Sequence, residues 1–125
     1  MSAIRRMMMV MGGGNAPLAV TVIHDYYIYS DSRIRTSSGW FYTTSLAVRS
    51  GQVIIFSCYG GAANAVISKE LNGTYTMMVK GTSSSSYRTY TWTADEDCFV
   101  AFSAKVDTIA PVATVDGVNV TFEGY

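Results

Sequence analysis

Three groups of residues are of types that perform chemistry, and their spacing limits what each could do. His24 is the only histidine, and nucleophilic catalysis at a Ser, Thr or Cys needs such a base beside the nucleophile. It lies in "VIHDYY", at the start of a run that reads as strand. There the adjacent Asp25 points to the opposite face and cannot orient the imidazole, so His24 reads as structural or surface-exposed. Asp95-Glu96-Asp97, in "TADEDCF", is the one cluster of acids. Glycosidases set two carboxylates across a cleft, whereas three neighbouring acids between strands read as a solvated turn. A calcium loop is the alternative, because hard cations take oxygen ligands from loops. No second acidic loop with suitable spacing supports it.

Cys58 and Cys98 each sit within an apolar run. Buried thiols are expected, since cysteine packs as a small hydrophobe; a cross-sheet disulfide is the alternative in an oxidising compartment. There is no CxxC and no Cys/His zinc pattern. Gly12 to Gly14 lack the following helix and the Lys or Ser/Thr of a phosphate-binding loop. The reading is therefore a non-enzymatic chain with no catalytic residues, metal or cofactor.

Aromatic side chains are the remaining signal. Tyr26, Tyr27, Tyr29, Trp40, Phe41 and Tyr42 form one dense group, and Tyr87, Tyr90 and Trp92 a second. Exposed aromatics stack on sugars and are enriched at protein interfaces, while alternating aromatics in sheets most often pack across strands. Tyr27, Tyr29, Trp40, Tyr42, Tyr90 and Trp92 are the candidates for a glycan or subunit contact.

The elements that must position these residues are strands. The 125 residues carry nine basic and nine acidic side chains, so no overall charge favours nucleic acid or an anionic membrane. Charged residues make up only 14%, so hydroxyls and amides must cover much of the surface. Asn72-Gly73 and Asp116-Gly117 each stand between runs of strand formers, the signature of two-residue type I′ hairpins. In the first hairpin Leu71 should face Thr74, Lys69 face Thr76, and Ile67 face Met78. "GQVIIFSCY", 51–59, and "CFVAFSA", 98–104, read as strands buried on both faces. In "YRTYTWTA", Tyr90 and Trp92 share one face with Arg88, and Thr89, Thr91 and Thr93 the other. "LAVTVIHDYYIYS" and "WFYTTSLAV" supply two further strands. Seven to nine strands with frequent turns predict an all-β sandwich or barrel over 17–125.

Residues 1–16 are different. "AIRRMMMVMGGG" offers an apolar run too short for an export signal, and no stretch is long enough for a membrane helix. Asn72-Gly73-Thr74 and Asn119-Val120-Thr121 match the glycosylation sequon, but without a secretory route both read as chance. Ile4, Met7, Met8, Met9 and Met11 can fill an irregular apolar groove on a partner. Arg5 and Arg6 can pair with acceptors at its rim, with the glycines as a swivel. Residues 1–16 are expected to be an extended attachment arm.

The body's motif order, in 45–56, 65–79 and 90–103, resembles a small jelly-roll module of bacteriophage fibre, tail and capsid-decorating proteins, notably from phages of gut Bacteroidetes. "AIRRMMMVM" is similar to the "AIRRRMMM"-type peptide that precedes varied domains in proteins of those bacteria and phages, with two arginines here in place of three. The resemblance implies a jelly-roll-like antiparallel β-sandwich on a virion, made in the host cytoplasm and docked to other virion proteins through its arm. It also implies a homo-oligomer, a trimer being the common arrangement. A carbohydrate-binding module for host-surface or mucus glycans is the alternative.

Overall fold

A computed structural model describes residues 18–59, 64–82 and 86–125. The expected arm, with Ile4, Arg5, Arg6 and the methionines to Met11, lies outside the described residues. These form ten strands and no helix: β1 (Leu18–Ile28), β2 (Ile34–Thr43), β3 (Leu46–Val48), β4 (Val53–Tyr59), β5 (Ala65–Leu71), β6 (Thr74–Lys80), β7 (Tyr87–Thr93), β8 (Cys98–Lys105), β9 (Val112–Val115) and β10 (Val118–Glu123). No helix among the described residues is long and apolar enough to cross a membrane.

Six strands close on themselves in the order β8-β2-β1-β10-β9-β4, and β4 returns to β8 at Tyr59 opposite Lys105. The architecture is thus an all-β barrel with additional strands. The β1–β10 pair is parallel and every other pair antiparallel. β7 extends the sheet beyond β4, while β5 and β6 extend it beyond β8.

The centre of the arrangement is β8, which pairs along both edges. Val100 lies between Leu46 of β3 and Lys69 of β5, and Lys105 between Trp40 of β2 and Tyr59 of β4. The segment "WFYTTSLAV" therefore supplies the end of β2 and all of β3, interrupted at Thr44-Ser45. At that break the Phe102 N–H donates to the Thr43 hydroxyl at 3.0 Å, and that hydroxyl donates to the Thr44 carbonyl at 2.9 Å. A buried break in a ladder requires such substitutes, because an orphaned amide is costly.

Both hairpins form as read. Asn72 and Gly73 have φ of 52° and 82°, and Asp116 and Gly117 have 50° and 80°, as type I′ turns require. Leu71 faces Thr74 and Lys69 faces Thr76 as expected, but a register shift places Val79, not Met78, opposite Ile67. β4 also departs from its expected burial. Ile54, Phe56 and Cys58 are buried whereas Ile55 is 38% exposed, because the barrel wall has one inner face and one open to water.

Inside the barrel, Phe41, Phe56 and Phe102 are fully buried among Val20, Ile54 and Val100. A smaller cluster of Ile28, Ala65 and Ala101 is covered by Tyr42, Tyr75 and Met77. Ile28 follows a bulge between His24 and Tyr26, where Asp25 takes φ of 72°. Asp tolerates this left-handed conformation better than most residues, and the extra residue resets the facing of the strand beyond it.

Candidate binding surface

Among the described residues, the one hydrogen-bond partner of the His24 side chain is a backbone carbonyl. Its Nε2 lies 2.7 Å from the Gly124 carbonyl, and its ring sits 6.4 Å from that of Tyr125. With the proton on Nε2 the ring donates to that carbonyl and ties β1 to the C-terminal residues. The acidic turn is likewise engaged with its own chain. Lys69 Nζ stands 2.6 Å from Glu96 and 3.1 Å from Asp95, while Asp97 accepts the Ser50 N–H at 2.9 Å. Those hydrogen bonds, Glu96 first and then Asp95, raise the Lys69 pKa. An open groove of about 580 Å³ runs beside Lys69, Glu70 and Asn72, but its one cation is already paired with its own acids. Among the described residues no three His, Cys, Asp or Glu side chains converge as metal ligands do.

Cys58 and Cys98 are free and buried. Burial pushes the Cys58 thiol from 9.0 up to about 12 and the Cys98 thiol up to about 11. At pH 8 the Cys58 thiolate is then roughly a thousandfold scarcer than for an ordinary thiol. We expect the native protein to resist iodoacetamide at pH 8, and both thiols to react once it is unfolded in urea. Rapid native alkylation, read by mass spectrometry, would contradict this burial. The sign of the linked stability follows: below pH 9 both states keep their protons, and from pH 9 toward 12 only the unfolded thiols lose them. Stability therefore falls as pH rises through that window.

The aromatic candidates separate into two sets. Tyr90 is in the core, its hydroxyl accepting the Thr82 N–H at 3.2 Å. Trp92, opposite Ile54, packs against the same core. Tyr42 covers the smaller cluster, with its ring 6.2 Å from Tyr75. Those three are packing residues. Tyr27, Tyr29 and Trp40 come together instead: Tyr27 lies 4.9 Å from Trp40 and 6.1 Å edge-on from Tyr29. The Arg35 guanidinium covers the Tyr29 ring at 4.5 Å while bonding Asp31 at 2.6 Å. That pairing holds Asp31 below its usual range against the opposing effect of desolvation.

The sheet register prolongs this cluster. Trp40 faces Lys105, Lys105 faces Tyr59, and Tyr59 faces Tyr87. Directly opposed residues share a face of the sheet, so the four form one row across β2, β8, β4 and β7 on the outside of the barrel. The Tyr59 and Tyr87 rings are 5.5 Å apart, and Tyr87 donates its hydroxyl to the Ala110 carbonyl at 3.0 Å. Burial, more than the neighbouring Cys58 and tyrosines, raises the Tyr87 pKa. Lys105 is exposed and makes no salt bridge among the described residues. Sequence reasoning missed Tyr59 and Lys105. The alternation of buried Ile54, Phe56 and Cys58 would have turned Tyr59 outward, but only the β4–β8 closure sets it beside Lys105.

Half-exposed rings around an exposed ammonium can stack on the apolar face of a sugar and bond its hydroxyls or acid groups. Compared with family models, with curated proteins and with solved structures, the chain matches none.

Proposed function

We propose that this protein is a non-enzymatic structural component of a bacteriophage virion: a head-fibre, capsid-decoration or tail protein whose jelly-roll-like body is held to the particle by residues 1–16. The observation that carries the reading is the peptide "AIRRMMMVM" in front of an all-β body whose first strand opens at Leu18. Four methionines and an isoleucine suit an apolar groove on another virion protein, and the two arginines suit its rim. The body's own chemistry is consistent with a scaffold, since His24, the acidic turn and both thiols are engaged in structure.

Deleting residues 2–11 tests the reading. The truncated chain should keep the circular dichroism and melting behaviour of the full chain yet be lost from assembled particles, at least tenfold by quantitative blotting of purified virions. Normal incorporation would remove the arm from the mechanism.

A second reading, a carbohydrate-binding module, is favoured by the outer row of Trp40, Lys105, Tyr59 and Tyr87 with Tyr27 beside it. It predicts that Trp40→Ala lowers retention on an immobilised glycan by about tenfold or more, the scale of one lost stacking contact, without unfolding the domain. Trp92→Ala should instead show its effect as lost stability. A full glycan array without any bound sugar would end this reading and leave the first intact.

A further inference from the structure

The outer aromatic row holds a single charged side chain, and it stands between rings. Trp40 of β2 faces Lys105 of β8, Lys105 faces Tyr59 of β4, and Tyr59 faces Tyr87 of β7. Strands about 4.8 Å apart set the Trp40 and Tyr59 backbones about 10 Å apart, with Lys105 midway. Tyr27, Trp40, Tyr59 and Tyr87 are half-buried, yet none of them packs against either core cluster, and Lys105 is exposed. Each of the two flanking rings is held by another. Tyr27 lies 4.9 Å from Trp40, and Tyr87 lies 5.5 Å from Tyr59.

Other charges stand to either side of the row. Arg35 is bonded to Asp31, and the Arg33 charge also acts on that carboxylate. Asp107, two residues beyond Lys105, accepts the N–H and the hydroxyl of Thr108 through one oxygen. Arg88, next to Tyr87, is opposed to Cys58 and belongs to the other face of the sheet.

We propose, resting on the carbohydrate-binding reading, that this row takes an acidic sugar, with its carboxylate or sulfate on Lys105 and its pyranose rings against Trp40 and Tyr59. The polar chemistry of the row selects that class of glycan. An ammonium donates three hydrogen bonds and accepts none, whereas a neutral sugar's hydroxyl does both. The group that matches an ammonium fully is an acceptor alone, and an anionic one forms the stronger, charge-assisted bond. Tyr87 already donates its proton to the Ala110 carbonyl, so its hydroxyl has only acceptor capacity left, which a sugar hydroxyl can fill. Rings that are already braced lose little freedom when a sugar face settles on them. A single-stranded nucleic acid fits less well, because its backbone needs a positively charged groove along its track and this row holds one cation.

The test is a printed array in which each acidic glycan stands beside its neutral parent: sialyllactose beside lactose, oligogalacturonate beside its methyl ester, and sulfated galactose beside galactose. Oligo-dT and an oligoglutamate peptide are printed with them. The array is probed with the full chain and with full-length Lys105→Gln, Lys105→Arg and Trp40→Ala, each verified as folded by circular dichroism. The expected result is an acidic glycan retained about tenfold or more above its neutral parent, the scale of one hydrogen bond to a charged group, and released by added salt. Lys105→Gln should erase that preference, Lys105→Arg should keep it, and Trp40→Ala should weaken both members of the pair. Neutral parents bound as well as the acidic glycans, or a preference that survives in Lys105→Gln, would overturn the proposal and leave the carbohydrate-binding reading standing. Retention on oligo-dT or oligoglutamate with no sugar bound overturns both, as does an array that retains nothing.

Discussion

Phe102→Ala is expected to cost about 3–5 kcal/mol of folding stability, enough to consume a large part of a small domain's total. Phe102 has no exposed surface and touches both of the structure's main assemblies. Within the barrel its ring lies 4.7 Å from Phe56 and 5.7 Å from Phe122, with Phe56 stacked on Phe122 at 5.9 Å. On the sheet it is paired with Ile67, at the join between the barrel and the β5–β6 extension. Strands that pair on both edges of β8 cannot shift easily to refill the space, so most of the cavity should remain. Urea denaturation followed by tryptophan fluorescence and circular dichroism would measure the loss as a lower midpoint with an unchanged slope. A cost below about 1 kcal/mol would mean that the three-ring stack does not organise this core. Phe99→Ala is the contrast, because Phe99 is half-buried on the other face of the same strand, and a smaller loss is expected there.

Ser103→Ala should cost about 1–3 kcal/mol although it removes a single oxygen atom. Ser103 is wholly buried. Its hydroxyl accepts the Ile28 N–H at 2.9 Å and donates to the Phe41 carbonyl at 3.1 Å, while its own carbonyl accepts the Asn64 side-chain amide at 3.1 Å. Loss of the hydroxyl leaves the Ile28 amide buried and unpaired in a place that water does not reach. Ser57→Ala provides the comparison. Its hydroxyl also bonds, to Thr89, but at a face open to solvent, so water replaces the lost partner and the change should stay within about 0.5 kcal/mol. Hydrogen exchange at Ile28 adds a local readout, with faster exchange expected in Ser103→Ala alone. Equal costs for the two serines would mean that the buried contact has no structural role.

Much of the strand pattern was legible before any coordinates. Asn72-Gly73 and Asp116-Gly117 report their turns because two consecutive residues with positive φ are a local demand that few dipeptides meet. The alternation in "YRTYTWT" assigns Arg88, Tyr90 and Trp92 to one face for an equally local reason, the two-residue repeat of a strand. Where the reading depended on partners it went astray. Ile67 meets Val79 because of a bulge that leaves no signature in the hairpin's composition. Ile55 belongs to an unbroken apolar run, yet it faces water, since hydrophobicity alone does not tell which neighbours a strand will acquire.

The candidate surface shows the same division. Tyr27, Tyr29 and Trp40 could be picked out as aromatics, but so could Tyr42, Tyr90 and Trp92, and side-chain chemistry alone could not separate the exposed rings from the buried ones. Chain-local features determined the all-β character, both hairpins and the chemical distinctness of residues 1–16. The tertiary structure alone decided the barrel closure at Tyr59 and Lys105 and the aromatic row across four strands. The reason is physical: turn preference and pleat alternation are properties of a few consecutive residues, whereas register between β4 and β8, more than forty positions apart in the chain, is settled only when the whole core is packed.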